Sequence, residues 1–340
     1  MSVVIFKESS KLRISLLTIA VMVCLLSYKL RQRSLLALPN DSQLELNERP
    51  IIGILTQTYQ SDIPNQAFIY AKDVKWIESA GARVVPVLIN QTELYYDKLY
   101  KSINGLLIPS GAQNEYTILR SPIGKVSNYF YQRAMKEFDQ YGAYFPLWGT
   151  CQGFEILSQL TAWKNLLANT FNTTEITIPL ILHTDYRASR LFGPENTPFD
   201  ILQSLVLRNI TLHSHRWSLT PKNFSSNAKL TNFFRILSTN FDDEGVEFIS
   251  TMEAYKYPIY ATQWHPEYSL SKWSTNRTVP HSIEAVRVGQ HLANFFVNEA
   301  RKNQHKFESR EEEGSHLIYN YCPVVKGDVS DGIQLYIFKV

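Results

Sequence analysis

Short apolar runs alternate along the first half of the chain with amphipathic segments of helical period. Ile51-Ile52-Gly53-Ile54-Leu55 opens the series just after Pro50 and has the length of a buried strand. Residues 66–80 carry Ala67, Ile69, Tyr70, Val74 and Ile77 at helical spacing, and Gly81 stands where a C-terminal glycine would end them. A strand over Arg83–Leu88, a short helix over 91–102 and a strand over Gly105–Pro109 follow, the last running into Ser110-Gly111. Residues 125–140 read as an amphipathic helix, Tyr144–Gly149 as a fourth strand, and 153–167 as the helix after it. This alternation predicts an α/β fold: a mostly parallel, doubly wound sheet with helices on both faces. The right-handed crossover rule leaves few topologies for it.

The second half changes character. Between residues 175 and 263 the strands are short and the connections polar, with Thr211–Leu219, Phe248–Met252 and Ile259–Trp264 the best strand candidates. Residues 283–302 predict a helix with Ala285, Val286, Val288, Leu292, Phe295 and Phe296 on its apolar side. Residues 308–313 read as a solvated charge run, and His316–Val325 and Ile333–Val340 as added edge strands. With no internal repeat or low-complexity block, residues 50–340 are expected to form one catalytic domain behind a polar linker at 39–49.

The first 38 residues read as an address. Lys7, Lys11 and Arg13 precede the apolar run Ile14–Tyr28, and Lys29, Arg31 and Arg33 follow it. That run is short for a hydrocarbon layer of roughly 30 Å. A secretory signal peptide is therefore favoured over a short signal anchor, and either one directs the body to the secretory pathway, ending in a lysosome or outside the cell. The sequons at Asn40, Asn90, Asn172, Asn209, Asn223 and Asn276 support that placement and predict glycosylated surface loops. At 44% hydrophobic and 19% charged the chain is ordinary for a globular protein, which argues against disorder. The net charge of +3 is too small and its basic residues too scattered to imply a nucleic-acid partner; a membrane enters only through an uncleaved leader. Cys24, Cys151 and Cys322 are too few for a disulfide framework.

Candidate chemistry centres on Gly149-Thr150-Cys151-Gln152-Gly153, a G-x-C-x-G pattern between a predicted strand and a predicted helix. A nucleophile on such a sharp turn needs small neighbours so that strand and helix can approach. The helix N-terminus beyond it favours thiolate over thiol. A nucleophile must be free, so no Cys151–Cys322 disulfide is expected. The base is His265, placed at a strand end by Pro266, with Glu267 two residues on to hold its distal ring nitrogen. The N–H groups of Gln152 and Gly111 are candidate oxyanion donors. A metal at His213-Ser214-His215 has little support without a third ligand nearby. No cofactor or metal is called for.

These segments resemble the class I glutamine amidotransferase superfamily, with its flavodoxin-like sheet, and within it the γ-glutamyl hydrolases, the peptidases of folate polyglutamates. Phe145-Pro146-Leu147-Trp148-Gly149-Thr150-Cys151-Gln152-Gly153-Phe154-Glu155 carries the strongest likeness, followed by Phe248–Pro258 running on to Gln263-Trp264-His265-Pro266-Glu267. His215-Arg216-Trp217-Ser218-Leu219 and Phe295-Phe296-Val297-Asn298-Glu299-Ala300-Arg301 also match. The resemblance implies attack by Cys151 on a γ-amide carbonyl of a small γ-glutamyl peptide or folate polyglutamate. It also implies proton transfer by His265, orientation by Glu267, and His215 near the substrate. Glu155, one turn after the nucleophile, is a further candidate for substrate contact. The family usually carries two glycines where this chain has Ser110-Gly111, and a serine would be strained there if its φ had to be positive. A homodimer is compatible with the sequence. The rival readings are a glutaminase domain coupled to a synthetase, opposed by the leader and sequons, and a secreted binding protein without activity, opposed by Cys151, His265 and Glu267.

Overall fold

In a computed structural model, residues 45–59, 63–170, 173–273, 279–326 and 333–340 are described. Eight strands form the central sheet: β1 (Ile51–Leu55), β2 (Arg83–Val87), β3 (Gly105–Ile108), β4 (Leu147–Thr150), β5 (Ile181–Leu182), β6 (Phe234–Phe241), β7 (Glu247–Ala254) and β8 (Ile259–Thr262). Their spatial order is β2-β1-β3-β4-β8-β7-β6-β5. The four contacts from β2 to β8 are parallel, and the three beyond β8 are antiparallel. The mostly parallel sheet is thus as expected, with an antiparallel extension on one side.

Alternation along β1 divides the core. Ile51 and Leu55 join the apolar cluster on one face, Ile52 and Ile54 the cluster on the other. The first face is covered by α2 (Glu93–Ser102), α3 (Pro122–Tyr141) and α4 (Gln152–Ala162), which supply Tyr96, Phe130 and Phe154. The second is covered by α1 (Ala71–Glu78), α5 (Phe199–Leu207) and α6 (Ile283–Ala300), which supply Trp76, Leu205 and Phe296. Local chemistry sets the ends of these helices. The Thr92, Ser121 and Ser282 side chains cap α2, α3 and α6, Pro122 follows Ser121 at the first helical position, and Gly142 at φ 68° stops α3. Leu46–Val340 packs as one compact unit. Among the described residues no helix is long and apolar enough to cross a membrane.

Several elements differ from expectation. Residues 66–80 are not one helix: Gln66–Tyr70 is a strand and α1 begins at Ala71. Ala67 and Ile69 are buried while their neighbours are half-exposed, a two-residue period that the helical reading overlooked. This strand pairs with Ile333–Lys339 and Gln57–Thr58 in a separate four-stranded sheet, so the C-terminal strands do not edge the central sheet. Helix α4 stops at Ala162 because Trp163 turns left-handed at φ 60°, and Leu167–Asn169 is already a strand. Thr211–Leu219 is interrupted at His215-Arg216, just after a bulge at His213/Ser214, into two strands belonging to different small sheets. The charge run at 308–313 enters a short helix, Arg310–His316, whose Glu313 pairs with Arg49 and Arg83. Strand β6 was missed because its buried positions include Ser238 and Asn240, satisfied by Thr251, Ser250 and the Pro179 carbonyl.

Candidate active site

The elbow forms where β4 meets α4. Cys151 has φ 52° and ψ −104°, a strained backbone for a residue with a side chain, and it stands at the N-cap of α4. Both flanking glycines are required. A Cβ on Gly149 would lie 2.6 Å from the Gly153 carbonyl group, and one on Gly153 only 2.1 Å from the Ile108 carbonyl oxygen. The thiol is buried and directed to the Ser214 carbonyl at 3.7 Å. Burial, reinforced by the charges of Glu155 and Glu267, pushes the thiol well up, against the pull of the Gln152 N–H and Lys72. This direction is opposite to the thiolate expected from the helix terminus: burial favours the thiol, which needs a base.

That base comes from the neighbouring strand. Thr262 of β8 pairs with Thr150 of β4, and His265 follows three residues on. The His265 backbone N–H donates to the Leu212 carbonyl at 2.9 Å, which brings the imidazole against the same strand that receives the thiol. His265 Nδ1 meets Glu267 Oε1 at 2.9 Å. Its Nε2 is buried and has no hydrogen-bond partner among the described residues. Burial alone would raise the Glu267 carboxyl, but Lys72 and His265 outweigh it and hold it down to about 2. Glu267 is an anion at any working pH, so it accepts the Nδ1 proton and leaves Nε2 as an acceptor.

The two proposed oxyanion residues are in contact. A Cβ on Gly111 would come within 2.3 Å of Gln152 Oε1 and 2.4 Å of Gln57 Oε1, so a larger residue there would have to displace the ends of those two side chains where the loop after β3 closes on the start of α4. Ser110 beside it is buried, and it is not among the described non-glycine residues with positive φ, so the feared strain is absent. Its carbonyl accepts from Gln57 Nε2 at 2.7 Å.

His215 and Glu155 are both buried. His215 Nε2 meets His213 Nδ1 at 3.1 Å and its Nδ1 meets Ser218 Oγ at 2.9 Å, so both ring nitrogens are engaged. Burial, then the His265 charge, takes His215 down to about 3, which keeps it neutral. Glu155 is buried behind the elbow with Oε1 accepting from Gln263 Nε2 at 3.4 Å, and burial pushes it up to about 8. Cys151 and Cys322 are both free, as expected of a nucleophile. Among the described residues no group of three His, Cys, Asp or Glu side chains is set to hold a metal.

Residues 50–267 match the Peptidase C26 family model. Over 295 residues the chain is 45% identical to a γ-glutamyl hydrolase of Rattus norvegicus, covering 86% of this chain and 90% of that one. It is 38% identical over 299 residues to γ-glutamyl hydrolase B of Dictyostelium discoideum, covering 86% and 84%. Among solved structures, the glutaminase domain of Trypanosoma brucei CTPS with bound acivicin aligns with a TM-score of 0.49 at 13% identity, over 75% of this chain and 95% of that one. The chain belongs to the peptidase C26 family.

One element of this C26 site was not foreseen. Lys72, inside the segment read as a plain amphipathic helix, reaches Glu267 Oε1 at 2.9 Å. The available signal was Lys72-Asp73, a charged pair amid the apolar positions of a segment otherwise destined for the core. Of the sequons, Asn90 and Asn209 are exposed, whereas Asn223 is half-buried and donates its amide to the Leu166 carbonyl at 2.8 Å. Asn40, Asn172, Asn276 and the leader at 1–38 lie outside the described residues.

Proposed function

We propose that this C26 chain is a cysteine-type γ-glutamyl hydrolase that cleaves γ-glutamyl amide bonds of folate polyglutamates through a thioester on Cys151. The observation that carries the mechanism is the state of His265: Nδ1 engaged by an anionic Glu267, Nε2 buried without a hydrogen-bond partner among the described residues. His265 Nε2 takes the thiol proton as Cys151 Sγ attacks the γ-carbonyl carbon. The N–H groups of Gln152 and Gly111 receive the developing oxyanion. Collapse expels the amine, which leaves with the proton from His265. His265 then deprotonates a water that hydrolyses the thioester and regenerates the thiol. In this reading His215 lies near the substrate and Glu155, buried behind the elbow against Gln263, supports the turn.

The same reading makes residues 1–38 a leader, 39–49 a linker and 50–340 the catalytic domain, acting in a lysosome or outside the cell. The charged flanks of the 14–28 run and the sequons support it. The experiment is incubation of the purified chain with a pteroyl polyglutamate beside Cys151→Ala, followed by chromatography. Release of glutamate or γ-linked peptide by wild type alone is expected. Inert wild type would favour a binding protein, and ammonia from free glutamine would favour a glutaminase.

A further inference from the structure

Lys72 is the buried charge that the reaction above leaves unused. Its ammonium sits at the start of α1 with the side chain 5% exposed. It donates to Asp73 Oδ1 at 2.6 Å, Glu267 Oε1 at 2.9 Å and Ser110 Oγ at 3.2 Å, three oxygens for its three protons. The rings of Tyr70 and Tyr268 flank it at 4.9 and 4.8 Å. Tyr268 also lies against His265, with ring centroids 4.4 Å apart.

These partners come from both halves of the site. Ser110 belongs to the loop that carries Gly111; Glu267 lies two residues after His265 in the segment beyond β8. One Glu267 oxygen, Oε1, receives both Lys72 Nζ and His265 Nδ1. A second carboxylate, Asp73, shares the cation, and its Oδ2 is buried without a partner among the described residues. Two buried carboxylates around a single ammonium leave no spare positive charge, so removing Lys72 would strand both anions.

We propose that Lys72 is a positioning residue for hydrolysis, whose ammonium holds Glu267 Oε1 against His265 Nδ1 and, through the Ser110 hydroxyl, anchors the loop that presents Gly111. The proposal rests on the reading of Cys151, His265 and Glu267 given above. With the ammonium present, Glu267 keeps its negative charge and the Nδ1 proton stays on His265. Without it, a proton can settle on Glu267, and the imidazole loses the partner that fixes its tautomer. The serine beside Gly111 then has a physical reason: it offers Lys72 an oxygen that a glycine could not.

The test compares wild type, Lys72→Arg, Lys72→Met, the charge-balanced Lys72→Met/Asp73→Asn and Cys151→Ala in one pteroyl-polyglutamate assay, with circular dichroism to gauge folding. Wild-type cleavage lost in Cys151→Ala establishes the underlying reading; inert wild type would sink that reading and not the geometry of Lys72. Loss of kcat by about 100-fold is expected in the folded double variant, with KM changed far less. Lys72 is the first charge that holds the Glu267 carboxyl down, so removing it raises Glu267, and the acid limb of the kcat profile moves to higher pH. Lys72→Arg keeps the charge and leaves that limb near its wild-type position. A merely structural lysine would lower the folded fraction without moving the limb. A folded Lys72→Met/Asp73→Asn enzyme with wild-type kcat and an unmoved acid limb would overturn the proposal, whatever the fate of Lys72→Met alone.

Discussion

Cys151 donates its backbone N–H to the Thr262 carbonyl at 2.7 Å, one step beyond the last β4–β8 pair. This bond stitches the nucleophile's turn to the strand that delivers His265, and it is made while Cys151 stands at φ 52°. A side chain there costs of order 1–3 kcal/mol of backbone strain, which glycine does not incur. Cys151→Ala and Cys151→Gly should both be inactive, but the glycine variant should melt higher. The offset should be about 1 kcal/mol in denaturant unfolding; an alanine variant as stable as the glycine one would show that the turn stores no strain.

The glycine at the second position of α4 faces a harder limit. A Cβ at Gly153 would meet the Ile108 carbonyl oxygen at 2.1 Å, and backbone of the adjacent strand has no rotamer to yield. Gly153→Ala should destabilise by more than about 3 kcal/mol, or fail to accumulate as folded protein. Gly142→Ala isolates the backbone term, since open space surrounds that position and only its φ of 68° opposes a side chain. It should cost about 1 kcal/mol. Equal losses at the two sites would refute packing as the reason for Gly153.

Glu267 and His265 make a sharper separation between chemistry and stability. Glu267→Gln keeps the shape but offers His265 Nδ1 either an oxygen or an N–H, so the imidazole can adopt the tautomer with Nε2 protonated. Such a ring cannot take the thiol proton, which burial holds firmly on Cys151. A fall in kcat of roughly 100- to 10,000-fold is expected, with KM altered little, on the scale known for removing the orienting carboxylate of a triad. A steady-state comparison showing kcat within a few-fold of wild type would remove Glu267 from the mechanism.

The parallel half of the sheet and the elbow were legible because they are local. Apolar runs buried on both faces read as strands without knowledge of their neighbours, and Gly149-Thr150-Cys151-Gln152-Gly153 needs only its own turn to make sense. Gln66–Tyr70 was misread because the partner along its whole length, Ile333–Lys339, lies at the other end of the chain, while the nearby Gln57–Thr58 pairs with only Phe68 and Ala67. Lys72 was hidden for a related reason. A lysine in an amphipathic stretch reads as solvent-facing until Ser110 and Glu267 are brought around it and its neighbour Asp73 from separate elements. The thiol's protonation was misjudged because a helix terminus is visible in sequence and the depth of burial is not.

Burial also sets a pH dependence of stability at Glu155. Its folded carboxyl is pushed up to about 8 from an ordinary 4.5, so between those values the native state holds a proton that the unfolded chain has released. The contribution is complete below pH 4.5 and is lost as pH rises through 8. Asp73, at about 6 against an ordinary 3.8, acts in the same direction but is spent above pH 6. His215, at about 3 against 6.5, acts in the opposite direction and is also spent above 6.5. From pH 6.5 to 8 Glu155 should therefore lower the unfolding free energy by about 1.6 kcal/mol, at nearly 1.4 kcal/mol per pH unit at first and about half that at pH 8. Glu155→Gln, which retains a partner for the Gln263 amide, should flatten the trend. Urea unfolding of both proteins at pH 6.5 and pH 8 checks it: a variant whose stability declines as steeply as wild type would place the titrating group elsewhere.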